Sequence, residues 1–258
     1  MSIVKILNQN SSFYHLLYHR GKWQELPKDA PFFRFSKWIR ASVERVKQAN
    51  PKLYADITQG IKPLIDISLK PDEKRLAQCF VQESGNLEIF FEPNNIINML
   101  DTLKTDEDKI SCLTYLVAHE MEHARQEQRG NFLYTAGKEE GKIPSIEQEI
   151  AIETDATAAG IITAHKAGLT LSAKKTLEEW FKNLIPNLGD ILDSGKETQK
   201  IERDIFKTDL KNRISYYRKK GTRVGLFSSE LQCAVELPDI LLKYNKSHFS
   251  LPVKGKQK

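Results

Sequence analysis

Two histidines four residues apart, with a glutamate directly after the first, stand in Leu116-Val-Ala-His-Glu-Met-Glu-His-Ala-Arg125. On a helix, residues at this spacing lie about 40° apart around the axis and one turn apart along it. His119 and His123 therefore project side by side from one face, and their imidazoles can converge on one ion at about 2.0–2.1 Å. Glu120 lies next to that face and can reach a water held by the ion without taking a coordination position. Zinc lowers the pKa of its water toward about 7, and a nearby carboxylate can take the proton as that water attacks a carbonyl. The pattern thus makes His119 and His123 candidate zinc ligands and Glu120 a candidate general base for hydrolysis. Glu122 puts a charge between the ligands, but two positions past Glu120 it points to another side of the helix. The plainer reading is an ordinary helix whose His and Glu face solvent.

A catalytic zinc needs a third protein ligand and an open fourth position. Where the motif is HExxHxxGxxH, that ligand is a histidine six residues on; here Gln126 and Arg129 occupy the corresponding positions, which excludes that class. The remaining source is the segment EQEIAIETDATAAG, with Glu147, Glu149, Glu153 and Asp155. Glu149 and Glu153 share a helix face, whereas Asp155 points nearly opposite to Glu153.

The elements that must position these residues follow from periodicity. DEDKISCLTYLVAHEMEHARQEQ (106–128) predicts a long helix with acids in its first turn and Gly130 beyond its end. SIEQEIAIETDATAAGIITAHKAG (145–168) predicts a second, with Ser145 and Gln148 as a capping box after Pro144 and Gly168 as the C′ residue. Segment 130–144 between them reads as a loop. Upstream, SKWIRASVERVKQAN (36–50) has helical spacing with Ser36 as N-cap, ended by Pro51. PLIDISL (63–69), RLAQCFVQ (75–82) and NLEIFFE (86–92) read as strands, the last two joined by Glu83-Ser-Gly-Asn86 into a hairpin. NNIINMLDTLK (94–104) is a short helix, and further helices are expected at 172–185 and 197–219. The class is α+β, with helices packed on one face of a small sheet.

HExxH followed some 30 residues later by Glu153-Thr-Asp-Ala-Thr-Ala-Ala159 resembles the small gluzincins, including the ImmA/IrrE-type regulatory proteases and metallopeptidase domains of bacteria and phage. The resemblance covers roughly residues 35–168. It implies a zincin-like fold with a small antiparallel or mixed sheet, zinc as cofactor, and Glu153 as third ligand, with Glu149 as the fallback. Ala156, Ala158, Ala159 and Gly160 would let this helix approach the first closely. Such relatives often carry Asp or Asn four places after the ligand, where this chain has Thr157; the departure bears on an outer hydrogen bond and not on the ligand. The resemblance also implies that an extended substrate pairs with an edge strand beside the metal. The candidate is the run 86–92, with Glu88, Ile89, Phe90 and Phe91 as substrate-binding residues.

The remaining sequence sets bounds. The 258 residues, 40% hydrophobic and 28% charged, suit one domain with appendages. The expected organisation is an extension over 1–34, a metallopeptidase domain over 35–190, and a basic, mainly helical region over 191–258. No run of about 18 apolar residues occurs, so no spanning helix is expected. The start lacks the apolar core of a signal peptide, so the expected location is cytoplasmic, with export by an unmarked route left open. Cys79, Cys112 and Cys233 form no CxxC pair and read as buried reduced thiols. From Lys196 onward 15 Lys and Arg face 7 Asp and Glu, although the chain's net charge is only +5. A basic tail could meet an anionic partner, or be a solvated surface; the cationic run 218–223 beside Tyr216 and Tyr217 has the same two readings. His15 and His19 repeat the four-residue spacing without a glutamate and read as part of an aromatic-rich amphipathic segment. His165, three turns beyond Glu153, reads as a surface histidine. Tyr134, Arg213, Tyr216 and Tyr217 are the candidates for stabilising an oxyanion.

The expected function is a zinc metallopeptidase acting on a peptide or a specific protein. The alternative is a non-catalytic scaffold of the same shape that works through protein or nucleic-acid contacts of its basic C-terminal region.

Overall fold

The computed structural model describes residues 15–19, 21–58, 65–71, 73–82, 86–128, 146–182, 188–194, 212, 215 and 237–244. Five strands form one mixed sheet: β1 (His15–His19), β2 (Lys22–Trp23), β3 (Ile65–Leu69), β4 (Ala77–Val81) and β5 (Leu87–Phe91), in the order β2-β1-β3-β5-β4. β3 and β5 run parallel, with Asp66 beside Glu88 and Ile67 beside Ile89, while the other neighbours are antiparallel. The helices are α1 (Phe33–Ala49), α2 (Pro51–Thr58), α3 (Pro93–Met99), α4 (Asp106–Gln128), α5 (Ile146–Lys166), α6 (Leu171–Phe181), α7 (Leu188–Ser194) and a further segment, α8, at 237–244. The class is α+β. Among the described residues no helix is long and apolar enough to cross a membrane.

The strands alternate by pleat. Ile65, Ile67 and Leu69 of β3 and Leu87, Ile89 and Phe91 of β5 join one apolar core with the helices. Asp66, Ser68 and Glu88 point to the opposite face and are buried as well. α4 runs through the centre of the helical layer, against α1, α2, α5, α6 and the β4–β5 hairpin. Fourteen of its 23 residues are buried, so it is enclosed on several sides rather than lying on a surface.

α5 lies closest to α4, and Gly160 is the reason. A Cβ at that position would stand 2.8 Å from the Tyr115 ring and 2.9 Å from the Tyr115 carbonyl oxygen. Ala156 and Ala158 are buried on the same helix, so the small-residue stripe does what the sequence implies. Past α5, Gly168 adopts φ +82°, the left-handed conformation of a C′ glycine.

Four expectations change. α1 begins at Phe33, not after Ser36; Phe32 caps it in the left-handed region and Ser36 Oγ bonds back to the Phe33 carbonyl. Its apolar face already includes the buried Phe35, so packing favours the earlier start. Residues 15–19 are not part of an extension: β1 pairs with β3, Leu17 and Tyr18 enter the core, and His19 Nδ1 lies 2.9 Å from Asp66 Oδ1. The 190/191 boundary is crossed by α7, whose Leu188, Ile191 and Leu192 lie in the same core as Leu237 and Leu241 of α8. Finally, 86–92 is not an edge strand. β5 is hydrogen-bonded on both sides and all five of its residues are buried, so Glu88, Ile89, Phe90 and Phe91 cannot take an added strand. Among the described strands the edge next to α4 is β4.

Candidate metal centre

α4 is helical throughout the motif, so its four-residue spacing brings the two imidazoles together at a T-shaped angle, with centroids 4.7 Å apart. Their Nε2 atoms are 3.1 Å apart. Glu153 Oε2 of α5 lies 3.6 Å from His119 Nε2 and 3.4 Å from His123 Nε2. These three residues are the group of metal-ligating type that the described residues bring together. Four ligands arranged tetrahedrally about zinc at about 2.0–2.1 Å stand about 3.3–3.4 Å from one another. The three observed separations bracket that value, so the donor set fits the ion in chemistry and in size. Glu149's side chain lies outside the described residues, as does Glu147's. Asp155 is exposed and points away.

His123 is 6% exposed and held at its second nitrogen: Nδ1 lies 3.0 Å from Gln126 Oε1. Gln126 Nε2 in turn donates to the Ile152 carbonyl at 3.0 Å, one residue before Glu153. His119 is placed differently. Its Nδ1 is buried with no hydrogen-bond partner among the described residues, and its ring packs on Tyr115 at 5.9 Å. Glu153 is at the rim, its side chain 35% exposed.

Electrostatics follow from this crowding. Burial, helped by the neighbouring His123, pushes His119 down to about 3, keeping it a neutral donor. Burial opposes protonation of His123 too, but its hydrogen bond to the Glu153 carboxylate and the charges of Glu120 and Glu153 outweigh it and raise the group to about 9. Burial would raise Glu153, yet the His123 hydrogen bond and the charges of His123, His119 and Arg75 bring it down to about 2. With protein groups alone, a proton on His123 is therefore the positive charge that the cluster gathers around. A divalent cation would serve the same three atoms better, since it meets all of them at once.

Glu120 is 5% exposed and faces β4. Burial raises its carboxyl to about 7, against the opposing pull of His123, a hydrogen bond from the Cys79 backbone N–H, and Arg75. A carboxyl poised near neutrality beside a cluster of metal-ligating atoms suits proton transfer.

The backbone of β4 shows why Cys79 can donate. Leu76 O accepts from Glu92 and Gln82 N donates to Asn86, so the even-numbered residues face β5. Ala77, Cys79 and Val81 turn their N–H and C=O groups outward, and Glu120 takes one of them. Glu122 is turned aside, as its position suggests, and is bound by Arg125 at 2.5 Å.

No family model, curated protein or solved structure matches this chain.

Three participants escaped the sequence reading: Gln126, the Cys79 N–H and Arg75. Gln126 stands three residues after His123, a spacing that marks it as a same-face neighbour. Arg75 is exposed just ahead of β4, a placement that only the strand order reveals. Tyr134, Arg213, Tyr216, Tyr217, the run 218–223, Cys233 and the Ser145–Gln148 capping pair lie outside the described side chains. Cys79 and Cys112 are buried free thiols. His15 and His19 sit on a strand, outside the metal-ligating group. His165 is half-buried against Tyr244 of α8, not on the surface.

Proposed function

We propose that this chain is a zinc-dependent metallopeptidase of zincin-like fold, with His119, His123 and Glu153 as ligands and Glu120 as general base. The observation that carries the reading is the convergence of three ligand atoms within 4.8 Å of one another, with Glu120 beside them. Zinc held there would supply a Lewis acid and lower the pKa of water. Glu120 accepts a proton from the attacking water and returns it to the departing nitrogen, which a carboxyl near neutrality does in both directions. The substrate is a peptide or an unfolded stretch of a protein. It lies as an added strand along the outward groups of Ala77 and Val81 and the Cys79 carbonyl, the Cys79 N–H being held by Glu120; β4 rather than β5 is then the docking edge.

The test is Glu120→Gln, assayed for peptide-bond cleavage alongside zinc content. The expected outcome is loss of cleavage with zinc retained. Cleavage at the wild-type rate would refute the assigned role.

A further inference from the structure

We propose that Gln126 is a positioning residue that fixes the tautomer of His123 and straps the second ligand to the third; the inference rests on the metal-centre reading above. An amide side chain has two unlike ends: its oxygen only accepts and its nitrogen only donates. A backbone carbonyl only accepts, so the end of Gln126 lying 3.0 Å from Ile152 O is the nitrogen. The oxygen then faces His123 Nδ1 at 3.0 Å, and that nitrogen must carry a hydrogen. A neutral imidazole with its proton on Nδ1 has its lone pair on Nε2. Nε2 is the atom that faces His119 and Glu153. One side chain thus writes the tautomer that coordination needs.

The same side chain ties α4 to α5 at the residue next to Glu153. His123 and the backbone that carries Glu153 are therefore positioned by a single buried amide, 6% exposed. A glutamate at 126 could accept the Nδ1 proton, but it would press a second acceptor against Ile152 O. Only an amide answers both neighbours. His119 provides the internal contrast: its Nδ1 has no hydrogen-bond partner among the described residues, and ring packing holds it.

The test measures zinc affinity by chelator competition on the full chain for wild type, His123→Ala, Gln126→Ala and Gln126→Glu, with metal-free folding checked by circular dichroism. A second readout is the exchange rate of the His123 Nδ1–H proton in the cobalt-loaded protein. Gln126→Ala is expected to weaken zinc about 10- to 100-fold and to speed exchange of that proton. Gln126→Glu, which keeps an acceptor for Nδ1 but loses the tie to Ile152, is expected to restore the slow exchange and only part of the affinity. Wild-type affinity and exchange in Gln126→Ala would overturn the proposal, as would exchange as fast in Gln126→Glu as in Gln126→Ala, which would assign the effect to packing. If wild type binds no zinc, or His123→Ala binds it as well as wild type, the metal-centre reading itself fails. That pattern is distinct from loss of the Gln126 effect alone.

Discussion

Glu88 and Glu120 are both buried glutamates, 3% and 5% exposed, on opposite sides of the sheet. Glu88 is surrounded by donors: the Ser68 hydroxyl, the Gln82 amide and the Lys70 ammonium at 3.1 Å, with Lys70 also over the rings of Phe80 and Phe90. Each charge there is answered by a protein group, as a structural cluster requires. Around Glu120 the balance is different. Two imidazole nitrogens and a carboxylate oxygen point at one another, and a single backbone N–H is the hydrogen bond that holds Glu120's carboxyl against its burial. Around Glu88 the protein supplies hydroxyl, amide and ammonium donors itself, whereas beside Glu120 the positive charge is a proton on His123. On the proposed function, the difference separates a buried glutamate that holds the fold from one placed for chemistry.

Exchanging each glutamate for glutamine breaks that comparison most sharply. Glu120→Gln should lower cleavage by about 10²- to 10⁴-fold while the melting temperature of the metal-free protein stays level or rises, because a carboxyl disfavoured by burial is removed. Glu88→Gln should do the reverse: a loss of stability on the order of 3 kcal/mol, measured by denaturant titration, with zinc affinity unchanged. If Glu88→Gln abolished zinc binding, the two clusters would not be independent.

Gly160→Ala tests the helix contact that brings Glu153 to the histidines. The added methyl would meet a backbone oxygen at 2.9 Å, which cannot rotate away. The expected loss is about 1–3 kcal/mol, with weaker zinc binding as α5 shifts. A stable variant with unaltered zinc affinity would show that the two helices can separate without disturbing the ligands.

The smallest effect is on pH dependence of the metal-free form. Glu120 (about 7) and His123 (about 9) both have folded values above their ordinary values of 4.5 and 6.5. Each therefore binds its proton more tightly folded than unfolded, and its contribution is lost as pH rises through the folded value. Glu153, lowered, has finished titrating below pH 6.5; His119, also lowered, opposes the trend only until its unfolded form has lost its proton, about one unit above 6.5. Between pH 6.5 and 9 the metal-free protein should thus lose stability, on the order of 1–2 kcal/mol, and saturating zinc should flatten the trend because the cation replaces the proton. A metal-free stability that rises over this range would contradict the assigned protonation states.

Much of this was readable in the chain, and the misreadings have physical causes. α4 spans 106–128 as its acidic first turn and apolar spacing suggest, and the β4–β5 hairpin lies where its turn residues put it. His119 and His123 meet because helix geometry converts a spacing of four into adjacency; Glu153 reaches them because α5 packs closely on α4 at Gly160. Strand order is not a local property, so the edge was misassigned. LEIFF and AQCFV are alike in apolar content, so composition does not tell the interior strand from the edge; the pairing and burial do. β1 was hidden because His15 and His19 flank only Leu16, Leu17 and Tyr18, and its partner, β3, is some fifty residues away. Gln126 was seen only as the residue standing where another motif has glycine, since a second hydrogen bond to Ile152 requires knowing where α5 lies.

The most direct test is zinc stoichiometry and affinity by equilibrium dialysis for wild type, His119→Ala, His123→Ala and Glu153→Ala, with folding verified for each. The account predicts one zinc per wild-type chain and a large loss of affinity in all three variants. A wild-type protein that binds no zinc, or a Glu153→Ala variant that binds it as tightly as wild type, would contradict it.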